Sequence, residues 1–349
     1  MGKIKYIAIL ITFYSLGQAV LSQAGYSTYK PWTYWWWMGS AVDTANIALS
    51  LKNMKEAGLG GAHIIPIYGV KGEESNYIRF LSPEWIQMLA FTVERAEHFG
   101  LGIDMTLGTG WCFGGPSVDT STGLMSIRTD VYAIKGGDSL SKLTTKNDYE
   151  VNKIIHVLAV YPGNRRLDVT SCVTNGKDAT WENEPAEFYV SRMTGPVFNV
   201  KRAAPGGEGY MLDPFSPEAF RKYARIFDTA FQGKLKDYIR SIYHDSYEYY
   251  GADWTRNFFD VFEKLQGYNL RLFIPELIHR GDSTISSRII ADYRHTISTL
   301  YYNYVKEIAD WADRNNVNFR NQGHGSPANW LDVYAASGIP ETESFGTSI

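Results

Sequence analysis

Apolar and polar positions along the chain follow two alternating periods. Trp32 to Met38 is an aromatic run of strand character, and Val42 to Ala57 carries Ile47, Leu49, Leu51 and Met54 at mixed helical spacing before Gly58 stops it. Gly60 to Tyr68 reads as a buried strand. Ser82-Pro83-Glu84-Trp85 predicts a helix start, with Ser82 as N-cap and Pro83 in the first helical position, where its missing N–H has no partner to lose. That helix runs to about Phe99 and ends at Gly100. Leu101 to Leu107 predicts a third strand, which runs into the glycine-rich stretch Gly108 to Pro116. Three strand-helix units in series predict a parallel sheet in an α/β fold, and in this length class the expected architecture is a (β/α)8-like TIM barrel.

The rhythm breaks after residues 25–116. From 117 to 209 short β-branched runs, such as Ile154 to Tyr161 and Glu187 to Val190, alternate with turn-rich stretches, which predicts an inserted β-rich subdomain without a helix. Residues 210–349 restore the α/β pattern as a second part of the barrel. Ser216-Pro217 opens a helix to about Phe231, and Ser241 to Glu248 is a strand followed by a helix from Trp254 to Gln266. A long helix covers about Ser286 to Arg314, and strands follow at Val317 to Gly325 and Ile339 to Gly346. The chain stops just past a carboxylate-rich strand, so a barrel incomplete at its C-terminal end, with an open strand edge, is expected.

Residues 1–24 read as an export signal. Lys3 and Lys5 precede the apolar run Tyr6 to Leu16, and Ser22-Gln23-Ala24 supplies small residues for cleavage, so a secreted or periplasmic location is expected. The run is shorter than the ~20 residues a membrane span needs. A net charge of -3 gives no basic field for nucleic acid. The 10 Trp and 24 Tyr suit stacking on sugar faces, pointing to an oligo- or polysaccharide partner. Oligomeric state is left open. Cys112 and Cys172 are too few for a disulfide framework and are expected to be buried thiols.

In parallel barrels, reactive groups sit at the carboxyl ends of the strands. The candidates there are Asp104 and Trp111, then His244, Asp245 and Glu248, then Asn321, Gln322 and His324, and finally Glu341 and Glu343. Glycosidic hydrolysis needs two carboxyl groups, one protonating the leaving oxygen and one activating water or attacking the sugar. The rings of Tyr247, Tyr249, Tyr250 and Trp254 around Glu248 would favour its protonated form by excluding water. Glu341 and Glu343 share a facing in an extended strand, so a cation or a shared proton is expected near them. Gly108-Thr109-Gly110 is followed by Trp111 rather than by a helix, which argues against a nucleotide loop.

Several of these segments resemble glycoside hydrolase family 106. They are Pro31 to Trp37, Gly58-Leu59-Gly60-Gly61, Leu107 to Trp111 with Gly114-Gly115-Pro116, Val200 to Gly207, Met211 to Ser216, Asp245-Ser246-Tyr247-Glu248 ahead of Asp253-Trp254-Thr255, and Ile339 to Glu343. The resemblance covers almost all of the chain after residue 24. It implies an inverting α-L-rhamnosidase with a barrel catalytic domain, β-rich accessory domains and an active-site calcium ion. By that resemblance Glu248 looks like the general acid, and Glu341 and Glu343 look like the second acidic cluster, as base or calcium ligands. Asp104, Trp111, Asp245, Trp254, Gln322 and His324 are the expected sugar contacts. Which of Glu341 and Glu343 serves as base, or whether a later residue does, stays open. The alternatives are a non-catalytic carbohydrate-binding remnant and a barrel glycosidase for another sugar.

Overall fold

The computed structural model describes residues 29–144, 152–175, 179–196 and 198–344. The export signal expected at 1–24 lies outside the described residues, as does the end of the last expected strand. Six strands form a parallel sheet in chain order: β1 (Trp32–Met38), β2 (Gly61–Ile67), β3 (Gly102–Thr106), β10 (Ser241–His244), β11 (Asn318–Gln322) and β12 (Ile339–Glu341). Helices α1 (Thr44–Glu56), α2 (Pro83–Phe99), α4 (Pro217–Ala230) and the long α7 (Ser283–Arg314) connect and cover them. A second, antiparallel sheet of four strands lies within the inserted segment: β5 (Ser126–Ile134), β6 (Asn152–Val160), β7 (Arg166–Asp168) and β8 (Ala186–Thr194). The two-residue strands β4 (Gly114–Gly115) and β9 (Tyr210–Met211) pair where the chain leaves and re-enters the α/β part.

The helix boundaries follow from local chemistry. The Ser82 and Ser216 hydroxyls accept from the amides of Trp85 and Ala219, and Gly100 closes α2 in the left-handed conformation that glycine adopts without strain. The β2 strand is buried at all seven positions, as a central parallel strand covered on both faces must be. Gly61 shows how closely β2 and β3 approach at their start, because a Cβ there would stand 2.4 Å from the Gly102 carbonyl oxygen.

Each parallel strand places one side chain in a common polar layer: Tyr34, His63, Asp104, Tyr243, Arg320 and Glu341. The His63 and Tyr243 rings lie 4.1 Å apart, and the Tyr34 hydroxyl lies 3.1 Å from that of Tyr243. Tyr34 also donates to Glu341 Oε1 at 2.8 Å, so a side chain of the first strand reaches one of the last. Asp104 is fully buried and receives both Arg240 and Arg320, and Arg320 also pairs with Glu341. One buried and one half-buried carboxylate against two guanidiniums leave neither charge uncompensated.

Some expectations shift. The strand from Ser241 ends at His244, because the Asp245 carboxylate accepts the Ser246 amide at 2.7 Å and turns the chain. The helix expected from Trp254 is α5 (Phe258–Gln266). The inserted segment does hold a helix, the single turn α3 (Thr170–Thr174), and Cys172 on it is exposed rather than buried; Cys112 is buried. Short helices α6 (Ile274–Leu277) and α8 (Trp330–Ala335) complete the described elements. The inserted sheet is clasped to the α/β part by Arg166, which donates to the fully buried Glu276 carboxylate at 2.6 and 2.8 Å. Among the described residues no helix is long and apolar enough to cross a membrane.

Candidate active site

A cavity of about 460 Å³ opens at the carboxyl ends of the parallel strands. Tyr34, Ile65 and Tyr243 form its floor. Its walls come from the segments that follow the strands: Trp111 after β3, residues 245–250 after β10, His324 and Gly325 after β11, and Glu343 after β12. Trp36, on the outer half of β1, completes the rim and is 57% exposed. A large exposed indole beside a polar cavity suits the apolar face of a pyranose.

Three carboxyl groups face this space, Asp245, Glu248 and Glu343. Burial, reinforced by the charges of Glu248 and Glu343, pushes the Asp245 carboxyl up to about 6, although the Ser246 amide opposes the shift. Glu248 has a different environment. Lys201 Nζ stands 2.7 Å from its Oε2 and 4.2 Å from the centroid of the Tyr250 ring, so the expectation of a purely aromatic surround is corrected by an ammonium contributed from the inserted segment. Glu343 lies 3.6 Å from His324 Nε2 and is 40% exposed.

The remaining expected site residues lie elsewhere. Asp104 is sealed beneath the cavity by its two arginines. Trp254 is 1% exposed and stacks on Phe258 at 4.2 Å between centroids, so it belongs to the core. Gln322 is buried and donates to Tyr34 and Glu341, holding the floor. Glu341 accepts from Tyr34, Gln322 and Arg320, and does not share the facing of Glu343, because β12 ends at Glu341. His244 is buried between Asn321 and the Tyr249 hydroxyl; desolvation depresses its basicity to about 4, so it is a neutral structural ring. Tyr250 lines the cavity as expected of a ring around Glu248, whereas Trp36 and Lys201 join the site without a local sequence signal, Lys201 only through the inserted loop's return past the strand ends.

The calcium ion expected at Glu341 and Glu343 does not fit the donor set. Calcium takes six to eight oxygen ligands, whereas both Glu341 oxygens are committed to protein donors, one of them a guanidinium. Among the described residues no three His, Cys, Asp or Glu side chains converge as a metal site.

Comparison with known proteins places this geometry in context. A glycoside hydrolase family 106 model described as alpha-L-rhamnosidase matches residues 24–157 and 146–343. A curated relative from Formosa agariphila named "Putative beta-glucuronidase" is 23% identical over 89% of this chain and 31% of its own length. The solved rhamnosidase from Novosphingobium sp. PP1Y superposes with a TM-score of 0.70 at 14% identity, over 92% of this chain and 49% of that one, which is a likeness of fold. A beta-galactosidase from Halorubrum lacusprofundi aligns with a TM-score of 0.44 at 10% identity, over 90% of this chain and 40% of that one. The chain therefore spans less than half the length of each of these proteins.

Proposed function

Because the chain belongs to glycoside hydrolase family 106, we propose that its strand-end cavity hydrolyses terminal α-L-rhamnosyl residues of oligo- or polysaccharides with inversion, and that it does so outside the cytoplasm after export. The observation that carries this reading is the convergence of Asp245, Glu248 and Glu343 on one aromatic-rimmed cavity. The six in-order parallel strands, with a side-chain hydrogen bond from Tyr34 on the first to Glu341 on the last, support reading them as part of a (β/α)8 barrel.

The chemistry divides between two sides of the cavity. Burial, reinforced by the charges of Glu248 and Glu343, keeps the Asp245 carboxyl protonated below a pH of about 6. Glu248 protonates the leaving oxygen, and Lys201, already at 2.7 Å, pairs with the carboxylate that results. Glu343, held beside His324, accepts a proton from water attacking the opposite face of the sugar. An inverting route of this kind needs roughly 6.5–9.5 Å between the two carboxyl groups to admit the water. Glu341 and Asp104, with their arginines, fix the floor on which the sugar rests.

The Glu248 role is tested by Glu248→Gln with two classes of rhamnoside. Alkyl or sugar leaving groups, which need protonation, should lose about 10²-fold or more in turnover, whereas activated aryl rhamnosides should lose far less. Equal losses on both would remove Glu248 from the acid role.

A further inference from the structure

A second cation stands beside the one that serves Glu248. Arg202 is exposed, and among the described residues it has no carboxylate partner, yet it is held in place by two aromatic residues. The Tyr68 hydroxyl lies 2.9 Å from its Nη1, and the guanidinium carbon lies 5.4 Å from the Trp111 ring centroid and 5.5 Å from that of Tyr68. Its backbone is pinned as well. The Arg202 carbonyl accepts the Tyr68 amide at 3.1 Å, the neighbouring Lys201 carbonyl accepts the Trp111 amide at 3.2 Å, and Gly110 packs so tightly that a Cβ would stand 1.8 Å from the Lys201 oxygen.

Arg202 pays for this placement with a φ of +54°, a left-handed conformation that a long side chain seldom adopts. Backbone strain persists where the surroundings over-determine it, and here they present a guanidinium one ring away from the cavity, since Trp111 lines the cavity wall. Lys201 cannot serve the same purpose, because it is engaged by Glu248 and Tyr250. A pre-oriented planar cation whose donors meet no carboxylate among the described residues is built to take an oxyanion in a two-pronged contact.

We propose that Arg202 selects substrates carrying an anionic group, a carboxylate or a sulfate, on the sugar that neighbours the scissile bond. This deepens the rhamnosidase reading and rests on it: the cleaved sugar sits over Trp36 and the floor, and the acidic sugar extends past Trp111 to Arg202.

The test compares three α-L-rhamnosyl disaccharides whose second sugar is a uronic acid, the corresponding neutral hexose, or that hexose bearing a sulfate ester. The native protein should favour an acidic substrate over the neutral one by about tenfold in kcat/KM, chiefly through KM, with the preference shrinking as salt is added. The better of the two acidic substrates identifies the anion. Arg202→Gln should collapse the preference to within about twofold, Arg202→Lys should keep part of it, and Tyr68→Phe should weaken it in the same direction should Arg202→Gln fail to fold. Binding, followed through tryptophan fluorescence, separates this inference from the hydrolase reading. Arg202-dependent binding of the acidic disaccharides without release of rhamnose would uphold the anion site and sink the hydrolase. Equal affinity and equal turnover for acidic and neutral disaccharides would overturn the anion site.

Discussion

Asp213 offers a perturbation whose magnitude can be worked out from its surroundings. Its side chain is 4% exposed and accepts two hydrogen bonds, from the Phe215 amide at 2.9 Å and the Thr255 hydroxyl at 2.6 Å. Those bonds tie the segment entering α4 to the loop ahead of α5, but they do not repay the loss of water, and burial pushes the carboxyl up to about 7. In the unfolded chain the same group titrates near 3.9. The folded state therefore binds the proton more tightly than the unfolded one, and its advantage is fully present below pH ~4 and lost as pH rises through ~7. A displacement of this size corresponds to roughly 4 kcal/mol. Asp213→Asn cannot ionise, keeps an acceptor for the Phe215 amide, and can donate to the Thr255 hydroxyl if that hydroxyl turns. Other titrating groups, Asp245 and Asp253 among them, are common to both proteins and cancel in the difference. Denaturant unfolding at pH 5 and pH 8 should show the variant gaining on the native protein by about 1–3 kcal/mol between the two pH values. A difference in stability that is the same at both pH values, or that moves the other way, would refute the assignment of Asp213 as a buried neutral acid.

Asp104→Asn should cost about 3–5 kcal/mol of stability in the same assay, because Arg240 and Arg320 would lose a shared, fully buried counter-charge. The pH profile of kcat/KM should fall as pH rises through about 6, where Asp245 gives up its proton, and Asp245→Asn should displace that limb.

Much of the scaffold could be read from the sequence because its signals are local. The serine-proline starts at Ser82 and Ser216 and the Gly100 stop each act within one helical turn, and all three stand where expected. The apolar run at β2 needs no partner to be recognised as buried. What could not be read depends on pairings between distant residues. Asp104 meets Arg240 across 136 positions and Arg320 across 216, so an acid expected at a strand end as a sugar ligand is a structural ion in the middle of β3. Trp254 carries the composition of a sugar platform but is taken by the phenylalanines of α5. Lys201 reaches Glu248 from the far end of the inserted segment, which no spacing rule anticipates. Asp245 and Glu248 were legible as a short motif, but their different environments, one desolvated and one paired with an ammonium, exist only in the folded chain.

Direct displacement at the strand-end cavity can be followed by proton NMR of the hydrolysis of an α-L-rhamnoside from the first turnovers, before the released sugar mutarotates. β-L-rhamnose should form first, and the α anomer should grow in later. First release of α-L-rhamnose would contradict the inverting assignment, and the absence of any released rhamnose would contradict the proposed function itself.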